Sequence, residues 1–267
     1  MSTATRPHTL LRDAHSRIAR DLRVSLTDRC NLRCSYCMPA DGLAWLPGPD
    51  VLSDDEVIRL ITVAVTLLGV RKLRFTGGEP LLRRGLGDIV AAAAQLRTDE
   101  DRPPELSLTT NGIGLDKQID DLRAAGLDRV NVSLDSLDRQ RYATLARRDR
   151  LPDVLKGLEA ADASGLRPVK VNTVAMRGVN DMDIVPLAEF CLTHGYELRF
   201  IEHMPLGPAH AWDRSAMLPA ADILAKLRER FELTPAPGRG SAPSEDWLVA
   251  AGPGHPAGRI GVIASVT

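Results

Sequence analysis

Six short segments of strict apolar–polar alternation recur along the chain, at 22–27, 73–76, 106–110, 130–135, 169–174 and 197–201. A period of two marks a strand with one buried face. Helix-period stretches separate the segments, at 53–68, 86–96, 119–125, 154–163, 184–194 and 220–230. In the first of these, Ser53 and Glu56 form a capping-box pattern, and Val57, Leu60, Ile61, Ala64 and Leu68 fall on one stripe. Strand and helix alternate throughout, which implies parallel strands joined by right-handed crossovers.

The parity within each strand constrains the fold further. One parity is apolar (Leu22, Val24, Leu26; Leu73, Phe75; Leu106, Leu108; Val130, Val132, Leu134; Val169, Val171; Leu198, Phe200) and must lie under the helices. The other carries Arg23, Ser25, Thr27; Arg74, Thr76; Ser107, Thr109; Asn131, Ser133, Asp135; Lys170, Asn172; and Arg199. These residues cannot fill the aliphatic interior of a closed barrel, so the inner face must border a polar cavity. An antiparallel sheet with one wet face gives the same alternation, but the intervening helices count against it. From 234 to 256 the chain turns rich in Pro, Gly and Ser, which reads as a loop with one weak strand at 247–250.

The 267 residues suit one large domain. Charge is nearly balanced, 34 Lys and Arg against 35 Asp and Glu, so no global field points to nucleic acid or an anionic membrane. No apolar run is long enough for a bilayer span and residues 1–11 lack a signal-peptide core, so a cytoplasmic location is expected. Inside the polar face, Arg23, Arg74, Lys170 and Arg199 are four cations on four strands, and Asp135 is the one inward acid assigned. Such a cluster marks either an ion-pair network or an anionic ligand, with a polyphosphate the natural candidate for the arginines.

Three of the four cysteines, Cys30, Cys34 and Cys37, have the spacing C-x3-C-x2-C directly after the first strand. Three thiolates suit a four-iron cubane with one iron left open, and they also suit zinc completed by a distant ligand. The fourth, Cys191, sits in an apolar helical stretch and reads as a small buried hydrophobe.

The run Ser25-Leu-Thr-Asp-Arg-Cys30-Asn-Leu-Arg-Cys34-Ser-Tyr36-Cys37-Met-Pro39 resembles the cluster loop of radical S-adenosylmethionine (SAM) enzymes, and its closing Cys-Met-Pro resembles the GTP 3′,8-cyclases of molybdenum cofactor biosynthesis. The resemblance implies an α/β fold, a partial, open TIM-type barrel of about six parallel βα units around a radical SAM core. It implies a [4Fe-4S] cluster held by Cys30, Cys34 and Cys37, with SAM chelating the open iron and yielding a 5′-deoxyadenosyl radical on reduction. Gly78 in Thr76-Gly-Gly-Glu-Pro80, Tyr36, Ser133 and Met204 match the positions around SAM. Arg23, Arg74, Thr109 and Lys170 match positions that contact GTP, and Arg199 is a candidate near the reacting nucleoside. The implied partners are GTP, a low-potential electron donor and, downstream, cyclic pyranopterin monophosphate synthase, with a homodimer as a candidate assembly.

The expected organisation is an N-terminal extension at 1–20, a radical SAM barrel at 21–232 and the start of a C-terminal region at 233–267. The resembled family continues past a segment like 259–267 into a second cysteine triplet, so one cluster is expected here and a second only in a longer form. Two other readings are a one-cluster maturase acting on another substrate and a non-catalytic SAM-binding barrel.

Overall fold

The computed structural model describes residues 9–205, 214–238 and 242–265. Residues 1–8, at the start of the expected N-terminal extension, lie outside the described residues, as do 239–241 and 266–267 in the C-terminal region.

Strands β1 (Asp21–Ser25), β2 (Lys72–Thr76), β3 (Glu105–Thr110), β4 (Arg129–Ser133), β5 (Val169–Ala175) and β6 (Glu197–Glu202) pair in sequence order, every pair parallel. Helices α1 (Asp54–Thr66), α2 (Leu86–Ala94), α3 (Ile119–Ala124), α4 (Arg139–Ala146) with α5 (Leu151–Ala163), and α6 (Ile184–Thr193) make the crossovers. Sequential parallel order is the barrel topology, and β1 has a neighbour on one side only, so the barrel is open.

The buried parity is as expected. Leu73, Phe75, Leu106, Leu108, Val130, Val132, Val169, Val171, Leu198 and Phe200 are each at most 1% exposed. Burying a side chain of this size contributes ~1.5–3 kcal/mol, so this layer is the main adhesive between strands and helices. Leu22 and Val24 on the edge strand are only partly covered. The capping box of α1 is present, with Ser53 Oγ accepting from the Glu56 amide and Glu56 accepting from the Ser53 amide.

Three expectations are corrected. Leu60 is 54% exposed, and Val65, fully buried, takes its place in the stripe beside Val57, Ile61 and Ala64. The Pro- and Gly-rich stretch after α7 (Ala220–Arg228) holds two strands rather than one: β7 (Leu233–Pro235) pairs antiparallel with β8 (Glu245–Val249), the strand expected at 247–250, and β8 pairs antiparallel with β9 (Gly258–Ile263). Since β9 pairs parallel to β6, the C-terminal segment extends the barrel sheet to nine strands. Finally, α4 has no counterpart among the expected helices. It buries only Tyr142, Leu145 and Ala146, too few to set a clear period, although Asp138, whose carboxylate accepts from the Arg141 amide, is a standard N-cap.

The inner face is layered along the strands. The first inward positions are Asp21, Lys72, Glu105, Arg129, Lys170 and Glu197, the second Arg23, Arg74, Ser107, Asn131, Asn172 and Arg199, and the third Ser25, Thr76, Thr109, Ser133, Val174 and Ile201. Asp135 is therefore not the only inward acid. Glu197 shares the parity of Arg199, and β1 and β3 begin one residue earlier than expected, which adds Asp21 and Glu105.

Candidate active site

The cysteine loop follows β1 and is folded by its own backbone and by two neighbours. The Cys37 and Met38 amides both donate to the Cys34 carbonyl, at 2.9 and 3.1 Å. The Gly78 and Glu79 amides donate to the carbonyls of Thr27 and Arg29, at 2.6 and 2.7 Å. This docking needs the two glycines. Gly77 has φ +148°, and a Cβ on Gly78 would lie 2.3 Å from the Arg29 carbonyl oxygen. On the other side, the Arg33 and Ser35 amides donate to the Ala146 and Leu145 carbonyls at the end of α4, and Arg147 Nη1 donates to the Met38 carbonyl at 2.9 Å.

Glu79, fully buried, organises the second wall. Its carboxylate accepts from the Leu81 amide, Thr110 Oγ1 and the Asn111 amide at 2.7–3.0 Å. Asn111 in turn accepts from the Ile113 amide through Oδ1, which turns its NH2 group toward Asn31 Oδ1 at 2.6 Å and Cys30 Sγ at 3.9 Å. The Leu32 amide also donates to Cys30 Sγ, at 3.4 Å. In the sequence Glu79 reads only as a member of the Thr76–Pro80 motif and Asn111 is not singled out, since their hydrogen-bonding partners lie 31 and 81 residues away.

The three thiols line one cavity of about 200 Å³ with Tyr36, Gly77, Gly78, Asn111 and Tyr142. Burial pushes all three thiols up, Cys34 furthest, so without a cation they hold their protons. Among the described residues no three His, Cys, Asp or Glu side chains are gathered closely enough to hold a single metal ion. Three thiols spread around a cavity, with amide donors on Cys30, fit a cluster whose irons each take one cysteine.

A second cavity of about 430 Å³ adjoins the first, and Tyr36, Cys37, Thr109, Ser133 and Asp135 line both. Its wall includes Arg23, Arg74, Asn131, Asn172, Arg199 and Met204. Asp135 stands at the junction, accepting from Tyr36 Oη at 2.7 Å and the Val174 amide at 2.9 Å; burial pushes its carboxyl up to about 6. At the far side Glu202 accepts from the Ala220 amide at 2.5 Å and the Ser265 amide at 2.6 Å, tying α7 and the segment after β9 to the cavity wall.

The four inward cations are not equivalent. Arg74 bonds Asp21 at 2.6 Å, and Lys170 bonds Glu197 across the β5–β6 register. Lys170 lies in the first layer and is not among the residues lining either cavity. Among the described residues Arg23 and Arg199 have no carboxylate within ion-pair distance; burial lowers the proton affinity of Arg199, with Asp246 and Glu197 acting against that at longer range. Of the expected SAM positions, Tyr36 and Ser133 line both cavities, Gly78 the smaller and Met204 the larger.

Comparison with known proteins agrees with this geometry. Residues 24–191 match the Radical SAM superfamily and residues 196–267 match Molybdenum Cofactor Synthesis C. The chain is 59% identical over 261 residues to GTP 3′,8-cyclase of Corynebacterium glutamicum, covering 97% of this chain and 69% of that one. It is 60% identical over 263 residues to GTP 3′,8-cyclase of Streptomyces coelicolor, covering 97% and 74%. Among solved structures, Streptococcus suis SuiB superposes with a TM-score of 0.59 at 18% identity, and a tagged form of anSMEcpe with bound AdoMet with 0.60 at 15%. These two matches cover 79% and 78% of this chain and 45% and 57% of theirs, a likeness of fold. With this identity spread across 97% of its length, the chain belongs to the GTP 3′,8-cyclase family of the radical SAM superfamily.

Proposed function

We propose that the protein is a radical SAM lyase that converts GTP to 3′,8-cyclo-7,8-dihydro-GTP, the first step of molybdenum cofactor biosynthesis. The observation that carries this reading is the junction of the two cavities. Thiols line one, arginines without carboxylate partners among the described residues line the other, and Tyr36, Cys37, Thr109, Ser133 and Asp135 belong to both.

A four-iron cluster bound by Cys30, Cys34 and Cys37, together with SAM, supplies the hydrogen-abstracting radical chemistry. The chain's own residues do the placing. Gly78 lines the smaller cavity with its backbone, where the methionyl end of SAM is placed, while Tyr36, Ser133 and Met204 surround the rest of SAM. Arg23, Arg74, Thr109 and Lys170 take GTP, the arginines offering forked donors to phosphate oxygens. Arg74 does so by exchanging Asp21 for the anion, whereas Lys170, which lies one layer outside the cavity lining, reaches it only by leaving Glu197. Arg199 faces the same cavity and orients the nucleoside. The family position and the three free thiols suit a reducing cytoplasm with a low-potential electron donor, and cyclic pyranopterin monophosphate synthase consumes the product.

The test is anaerobic assembly of the cluster followed by incubation with SAM, reductant and GTP. Deoxyadenosine and the cyclised nucleotide are expected together, with about four irons per chain. Cleavage of SAM that is indifferent to GTP would overturn the substrate assignment, and zinc with no assembled cluster would overturn the whole reading.

A further inference from the structure

Tyr142 stands out on the cluster side of the site. It is 3% exposed, it lines the cavity of the three thiols, and its hydroxyl has no hydrogen-bond partner among the described residues. Buried hydroxyls are nearly always satisfied, so an orphan in a cavity wall calls for an acceptor. Tyr36, the other phenol of this cavity, is already committed to Asp135.

The position of Tyr142 is set by backbone. It lies one turn before Ala146 on α4, and the end of α4 receives the Arg33 and Ser35 amides on either side of Cys34. The backbone that carries Tyr142 is thereby tied to the backbone around Cys34.

We infer that Tyr142 Oη donates a hydrogen bond to a sulfur at the Cys34 corner of the bound cluster, as a positioning and potential-setting residue. The inference rests on reading the three cysteines as a cluster site. It pairs with the Asn111 amide at Cys30, so that donors from two elements outside the cysteine loop reach two different corners. Hydrogen bonds to cluster sulfurs favour the reduced, more negative state and raise the potential.

Tyr142→Phe removes one oxygen and keeps the ring. In the cluster-free protein the melting temperature should hold or rise, because an unsatisfied buried hydroxyl has gone. After anaerobic assembly, iron content should match the parent, and a redox titration followed by electron paramagnetic resonance should give a more negative midpoint potential. An unchanged or more positive midpoint at equal iron content overturns the inference, as does a lower melting temperature for the cluster-free variant. Failure of the parent itself to assemble a cluster would instead overturn the reading of the cysteines.

Discussion

The two ends of the barrel treat charge in opposite ways. At the N-terminal end the first inward layer carries Asp21, Lys72, Glu105, Arg129, Lys170 and Glu197, and its members bond one another: Lys72 and Arg129 to Glu105, Lys170 to Glu197. Nearby Arg20 and Arg71 share Asp99. At the C-terminal end, past Arg74 with its Asp21 partner, the exposed Arg23 and the half-buried Arg199 have no bonded carboxylate among the described residues, and the Oδ1 atoms of Asn131 and Asn172 and the hydroxyl of Tyr142 are buried there without hydrogen bonds. A charge that finds its partner within the chain does structural work, whereas a buried donor or acceptor left open is a place for a ligand. Inward parity alone does not separate the two.

The largest effect that would break this comparison lies at the cysteines. Cys34→Ala should abolish cluster assembly and all product, read as iron content and deoxyadenosine; a variant that keeps about four irons would show that Cys34 is not a ligand. Next, Arg23→Ala should weaken GTP binding about 10- to 100-fold, the loss of one charge-assisted contact of ~1.5–3 kcal/mol, with SAM affinity nearly unchanged. Arg74→Ala should follow the same pattern more weakly, because Asp21 already holds the guanidinium; calorimetry with each ligand separates the two sites.

Lys170→Ala sharpens the contrast, since it leaves Glu197 partly buried without its cation. A stability loss of ~1–2 kcal/mol is expected, together with a GTP defect smaller than that of Arg23→Ala. If Lys170→Met combined with Glu197→Leu restores the melting temperature but not GTP affinity, the lysine serves both ends; restoration of both would make it purely structural.

The smallest effect is a pH response at the N-terminal end. Hydrogen bonds from Arg71, then Arg20, hold the Asp99 carboxyl well below the usual carboxylate range. A depressed folded-state value means the stabilisation is complete above the unfolded value of about 4 and is lost as pH falls toward the folded one. Asp99→Asn should therefore flatten the fall in melting temperature below about pH 4 and leave GTP binding unchanged.

Much of the fold is legible in the sequence because the inner face is polar. Alternation in β1 to β6 shows which side meets the helices, and the spacing of Cys30, Cys34 and Cys37 marks a metal-binding loop that the family resemblance makes a cluster loop. Helix α4 is hard to read because Asp138 is its main local signal, and its importance comes from carbonyls that meet the cysteine loop more than 100 residues earlier, at Arg33 and Ser35. Leu60 falls on the wrong side because an apolar stripe about four positions wide fits α1 in two nearly equal phases, and only packing chooses between them. Strand β8 is legible as the weak strand at 247–250, whereas the three-residue β7 is hidden beside prolines and exists through antiparallel pairing with β8, which in turn pairs with β9.

By itself the sequence determined the alternation of strands and helices, the buried parity and the residue types offered to a metal group and an anion, all of which depend on local period and spacing. Which cations remain open for a ligand was decided in three dimensions, because the partners that neutralise Arg74 and Lys170 sit 53 and 27 residues away. Electrostatic pairing depends on distance in space, which local alternation does not encode.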